Sequence, residues 1–265
     1  MINMMKADIY RIFRSKSLYI TLAVLIALNV LVVGTMSVSG INFGTTWDDM
    51  GIAAPILGFD GLGSAALLYT RMDNMVFLLL PLVYGLVMPL FIYCTIKNDI
   101  AGGLSRTKIY MSKLALSAIL CVVLVIAYMG MGMLLATALR GFGGPAPAGY
   151  WLNLFQTVGA QLFIMLAVTC FATFLMFVTK SGGMVNALFI GYFFVPTMLI
   201  MILYQTISPR FIRLMDFLLM FSINRLGFLS QLSTGEILTA LGVGAFHILA
   251  CTIGGIALFK RAEVK

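Results

Sequence analysis

Long apolar runs separated by short polar stretches set the pattern of this chain. Six runs, 18–39, 75–96, 111–139, 151–178, 184–206 and 236–259, reach the ~20 residues a helix needs to cross about 30 Å of hydrocarbon. Ahead of the first run, residues 4–16 (MMKADIYRIFRSK) put Met5, Ile9, Ile12 and Phe13 on one helical face, with Lys6, Asp8, Arg11 and Arg14 on the other sides. That pattern predicts a helix lying among lipid headgroups. The first run is 22 residues long and follows this amphipathic stretch, which suits a retained span better than the shorter apolar core of a signal peptide. Two connecting segments depart from simple turns. Residues 40–74 are rich in glycine and small residues, hold four aspartates against one arginine, and predict an external loop. Residues 208–231 begin with Ser208 as an N-cap and Pro209 at the first helical position. They are too apolar for a wet loop, yet are interrupted by Asp216, Asn224, Arg225 and Gly227, so they predict a re-entrant segment. The expected fold is an all-α membrane protein forming one domain over 1–265. It has six transmembrane helices, an N-terminal interfacial helix, and a re-entrant segment between the fifth and sixth spans.

Composition fixes the class. The 265 residues are 62% hydrophobic and 10% charged, against about 25% charged residues in soluble domains. The net charge of +8 would suggest nucleic acid in a soluble protein; here topology accounts for it. With both termini inside, Lys6, Arg11, Arg14, Lys16, Lys97, Arg106, Lys108, Lys113, Lys180, Lys260, Arg261 and Lys265 fall on one side. Only Arg71, Arg140, Arg210, Arg213 and Arg225 fall on the other, together with most of the acids. That distribution follows the positive-inside rule and predicts cytoplasmic termini.

Candidate chemistry is sparse. Cys94, Cys121, Cys170 and Cys251 all sit in apolar runs without CxxC spacing, so they read as small buried residues rather than a disulfide frame or metal site. No G-x-x-x-x-G-K-[ST] occurs; Thr179 stands before Lys180-Ser181 where glycine is required. His247, the sole histidine, falls near the middle of the sixth span. It is either a satisfied structural residue or part of a pathway. Paired with Ser181 it would suggest an intramembrane hydrolase, but the two lie roughly 15 Å apart in depth and the glycine preceding the serine motif is missing. Asn29, Asn153, Gln156, Gln161 and Asn186 are amides within or at the ends of spans, with Asn153, Gln156 and Thr157 spaced for one face of the fourth helix. Such groups join helices or line a wet path. Pro81, Pro89 and Pro196 predict kinks, and the 19 methionines and 20 phenylalanines suit an adaptable apolar cavity.

The most polar loop, 97–113, runs Lys97-Asn98-Asp99-Ile100-Ala101-Gly102-Gly103-Leu104-Ser105-Arg106 before the next span. It resembles the first cytoplasmic loop of type-2 ATP-binding-cassette exporter permeases, which carries a short helix that docks on the ATPase. The amphipathic leader is similar to that family's elbow helix, and 208–231 to its re-entrant helices. The resemblance implies ATPase contacts at Asn98, Asp99, Gly102, Gly103, Ser105 and Arg106, with Asn98 or Asp99 starting the short helix. It implies a separate cytoplasmic ATPase that binds ATP and Mg, since this chain holds neither. It implies a second permease chain, identical or similar, meeting the first and fifth spans; there Ala23, Ala27 and Gly34, and Gly183, Ala187 and Gly191, offer small residues at close-packing spacing. The pathway candidates are Asn29, Asn153, Gln156 and His247, the cargo an amphipathic peptide or lipophilic compound, and the location a bacterial plasma membrane. A channel or scaffold without ATP is the rival outside this family and outside enzymes.

Overall fold

The apolar runs fold as helices, because inside a bilayer only intra-segment hydrogen bonding satisfies the backbone. The computed structural model describes residues 2–39, 60–70, 72–93, 95–146 and 148–261. Among them are helices α1 (Ile2–Phe13), α2 (Lys16–Ser39), α3 (Gly61–Thr70), α4 (Asn74–Val87), α5 (Pro89–Ile92), α6 (Thr95–Ala101) and α7 (Arg106–Arg140). The remainder are α8 (Tyr150–Thr179), α9 (Gly182–Thr206), α10 (Leu219–Leu226) and α11 (Thr234–Arg261), with 3-10 helices at Pro209–Phe217 and Leu229–Gln231. No strand occurs among the described residues. Five helical stretches are long and apolar enough to cross a membrane: Asn74–Ile92, α7, α8, α9 and α11. The chain is an all-α membrane protein. Residues 4–13 and 16–31 pass the same test only when taken together, and they are bent from each other by 58°.

The long helices alternate in direction, which gives the bundle two ends. The basic end holds α1, α6, the start of α7, the α8–α9 turn and the end of α11; the opposite end holds the α7–α8 connection and 206–234. α8 is the central post: α4, α7, α9, α10 and above all α11 pack on it. Its buried face carries Ile164, Val168, Ala172 and Met176 at helical spacing. α9 is the least enclosed of the five. It is held through ring contacts, Phe77 of α4 against Phe189, Phe193 and Phe194, and Phe171 of α8 against Phe189 and Tyr192.

Three sequence expectations change. Residues 61–70, expected in an external loop, form a buried helix: α3 lies along α7, with Leu62, Ala65 and Leu68 enclosed. Gly132 of α7 makes that approach possible, since a Cβ there would stand 2.3 Å from Leu68 Cδ1 and 2.5 Å from Asn29 Oδ1. Residues 40–59 and Arg71 lie outside the described residues. The second apolar run ends as a helix at Ile92 rather than at 96, after a break at Met88 where Pro89 opens α5. Residues 95–101 form the separate helix α6. In α1 the buried positions are Asp8 and Ile12, while Ile9 and Phe13 are exposed. The helix is rotated from its apolar face because Asp8 has a partner inside.

Candidate functional site

The basic end is where the sequence places its partner-facing residues. α6 carries Lys97, Asn98 and Asp99 in its interior, so neither Asn98 nor Asp99 starts it. They instead close it: Gly102 N–H donates to Asn98 O at 2.8 Å, Gly103 N–H to Ile100 O at 3.0 Å, and Leu104 N–H to Asp99 O at 3.1 Å. This is a left-handed helix stop, and Gly103 takes the required positive φ of 82°. Its glycine character therefore has a cause within the chain. Ser105, in extended conformation, then caps α7 by accepting from Lys108 N–H at 3.4 Å. Lys97, Asn98, Gly102, Gly103 and Ser105 are exposed, whereas Asp99 and Arg106 are half-buried. Arg106 is engaged: its Nη1 donates to the carbonyls of Phe259 (3.2 Å) and Lys260 (2.8 Å), the last turn of α11. A cation on unpaired C-terminal carbonyls is favourable for dipole and hydrogen bonding alike.

Beside this turn a buried ionic group fixes α1. Lys113 Nζ lies 2.6 Å from Asp8 Oδ2, and Arg11 Nη2 lies 3.1 Å from Asp8 Oδ1 while donating to Leu86 O of α4 at 2.9 Å. Lys113 was counted with the polar loop; two turns into α7, it is enclosed. One further link joins α7 to α11, from Tyr110 Oη–H to Cys251 O at 2.9 Å.

The four pathway candidates are not brought to one place. Asn29 is closed off between α2, α3 and α7, donating to Leu25 O at 3.0 Å, with its Oδ1 unpartnered against Gly132. It faces no open path. Asn153 bonds Thr157 one turn on, while Gln156 points outward and is exposed. The shared face therefore holds Asn153 and Thr157 without Gln156. His247 stands half-buried with both ring nitrogens engaged. Nδ1 is 2.8 Å from Val243 O, an atom that only accepts, so Nδ1 carries a hydrogen, and Nε2 lies 2.6 Å from Tyr192 Oη. Ser181 caps α9 eleven residues below Tyr192, on the order of 16 Å away along the helix. A Ser181–His247 pair is not assembled. Ala27 on α2 and Gly183 and Ala187 on α9 are exposed, Gly191 is half-buried, and a Cβ at Gly183 or Gly191 would meet nothing within 4 Å.

The residue that organises the interior is Gln161. Fully buried on α8, its Nε2 donates to Tyr69 O at 2.8 Å and Ile223 O at 3.0 Å. One amide thus holds the last turn of α3 and the body of α10. Both acceptors lie about 16 Å along α8 from its Tyr150 end, so both short helices penetrate the bundle from the opposite end. Gln161 lies one turn beyond buried Thr157 on the same side of α8, whereas Gln156, five residues before it, points outward. At the rim above it, Arg225 pairs with Asp216 and with Glu236, joining the 3-10 helix, α10 and α11. Glu236 also accepts from Ser233 N–H and Oγ–H, each at 2.8 Å, which reproduces a helix-capping box.

Cys121, Cys170 and Cys251 are buried free thiols. Among the described residues no group of three His, Cys, Asp or Glu could hold a metal ion. No protein-family model matches this chain, and no curated protein matches it.

Proposed function

We propose that this chain is the permease subunit of an ATP-driven exporter of the type-2 ATP-binding-cassette kind, working with a separate ATPase and a second permease chain. In this reading the basic end is cytoplasmic, as the lysine and arginine distribution requires. The bent α1–α2 pair supplies the elbow and the first span, bringing the spans to six, and the 3-10 helix with α10 is the re-entrant segment. Six spans make half a pathway, and the outward Ala27 and Gly183–Ala187–Gly191 faces supply a place for the second half. The favoured cargo is an amphipathic peptide or lipophilic compound leaving across a bacterial plasma membrane.

The observation that carries this reading is the α6 turn. It is a short helix with a glycine stop and exposed Lys97, Asn98, Gly102, Gly103 and Ser105, standing at the basic end between two spans. Its continuation is tied to α11 through Arg106. A push on this turn reaches α7 and α11 together, which is what a coupling element must do. Arg106 is a poor place to test contact because its loss frays α11; the exposed pair Lys97 and Asn98 is better. Purified full-length chain is expected to bring down a P-loop ATPase whose hydrolysis it stimulates. Lys97→Glu with Asn98→Lys is expected to reduce that stimulation at least fivefold at unchanged melting temperature. Stimulation equal to that of the wild type in this double variant would remove the α6 turn as the contact.

A further inference from the structure

A groove of about 500 Å³ opens on the flank of the bundle, lined by Phe217 of the 3-10 helix and by Thr239, Gly242, Val243, Phe246 and His247 of α11. Thr239 to His247 is eight residues, so the groove runs about 12 Å along α11, from near its Thr234 end toward its middle. Its polar groups are already used. Thr239 Oγ1 donates to Gly235 O at 2.9 Å, and both nitrogens of His247 are engaged as described. What the groove presents to an occupant is therefore hydrocarbon, aromatic edge and an imidazole whose two nitrogens are already engaged.

The mouth has a different character. The 3-10 helix repeats every three residues, so Arg210 and Arg213 stand one above the other on the row that continues to Asp216, a third of a turn round from Phe217. Both are exposed and have no ion-pair partner among the described residues. The carboxylates nearest along these elements, Asp216 and Glu236, are both held by Arg225. The two arginines stand at the level where α9 and α11 leave the apolar zone. Arginine stems can lie along apolar surface while the guanidinium reaches the headgroup region.

We propose that this groove binds one acyl chain of an anionic membrane phospholipid, with the phosphate headgroup on Arg210 and Arg213 and the chain end beside His247. An apolar trough of hydrocarbon depth below a cationic rim is complementary to that molecule. The assignment is independent of the transport reading above: it needs only a membrane, and it would survive the loss of ATPase coupling.

Gly242 supplies the test. A Cβ there meets nothing within 4 Å, so Gly242→Leu fills the trough without displacing a neighbour. Full-length chain in detergent is incubated with equimolar phosphatidylglycerol and phosphatidylcholine, and retained lipid is counted by native mass spectrometry. The wild type is expected to keep one phosphatidylglycerol per chain in at least fivefold preference. Gly242→Leu should lose most of it, and Arg210→Gln with Arg213→Gln should lose the preference while still holding lipid. Equal retention of the two lipids by the wild type, or undiminished retention by Gly242→Leu, overturns the proposal. The unaltered chain gives a second reading that no folding defect can confuse. A phosphatidylglycerol with a photoreactive group at its acyl terminus should label residues 239–247, and labelling elsewhere overturns the site. Labelling of this stretch by a hydrophobic peptide and not by the lipid would assign the groove to cargo and likewise overturn it.

Discussion

Among the described residues each end of the bundle carries one three-membered ionic cluster, and the two are inverse in charge. At the basic end Asp8 lies between Lys113 and Arg11; at the opposite end Arg225 lies between Asp216 and Glu236. They differ in burial. The Lys113 and Asp8 side chains are 1% and 8% exposed, whereas those of Arg225 and Asp216 are 25% and 31% exposed. A buried pair is maintained because removing either partner strands the other charge, whereas a half-buried pair that water reaches is partly screened and contributes less. The basic cluster therefore fixes α1 to α7 and α4 permanently. The opposite cluster can open and close at small energetic cost, and what holds α3 and α10 in place beneath it is the neutral amide of Gln161.

The sharpest way to break this comparison is Lys113→Met. It leaves Asp8 enclosed with only Arg11, and is expected to destabilise the chain by about 3–5 kcal/mol, read as a lowered melting temperature in detergent. Adding Asp8→Asn should recover most of the loss, because the stranded charge disappears with it. A Lys113→Met chain as stable as the wild type would mean that the cluster is hydrated and that the two ends do not differ.

The next effect should come from Gln161→Leu. It leaves the carbonyls of Tyr69 and Ile223 without their donor, at a cost of about 1–2 kcal/mol by the usual range for such bonds within membranes. The change should be local: cysteines placed at Ser64 and Ser222, both buried, should become reactive to a soluble maleimide while α1 stays protected. Unchanged protection at both positions would show that apolar contacts alone seat the short helices.

The smallest change is expected for Asp216→Asn, which removes one half-buried, water-reached partner of Arg225 and should alter stability by about 1 kcal/mol at most. Its effect should vanish in 1 M salt, where the screening length is about 3 Å. A larger, salt-insensitive loss would place this cluster in the same class as the basic one.

These contrasts divide what the sequence reveals from what it hides. The last three runs were legible nearly to their ends: 151–178 against Tyr150–Thr179, 184–206 against Gly182–Thr206, and 236–259 against Thr234–Arg261. Twenty or more apolar residues have few alternatives in a bilayer. Residues 61–70 were not legible. They are too few to cross, they are set between charged Asp60 and Arg71, and the surface that buries them is built by Gly132 and Gln161, far along the chain. Asp8 was assigned to a wet face for the same reason, because its partner lies 105 residues away. Among the amides, periodicity selected the 153–157 face; Thr157 and, one turn on, Gln161 turn inward on it, whereas Gln156 faces out. Local pattern identifies helices, but which row of a helix is enclosed depends on partners it does not contain.

The short reach of α3 also has a bearing on the order of biogenesis. Ten residues span about 15 Å, half of a hydrocarbon crossing, so α3 does not insert as a span in its own right. The helices that chiefly enclose it are made afterwards: Thr137 and Gly132 belong to α7, and Gln161 of α8 lies 92 residues beyond Tyr69. While the ribosome is still making α4 to α6, α3 has no cradle and its polar last turn has no donor. It takes its place only when α8 has been delivered, so the N-terminal half of this protein is completed by its C-terminal half.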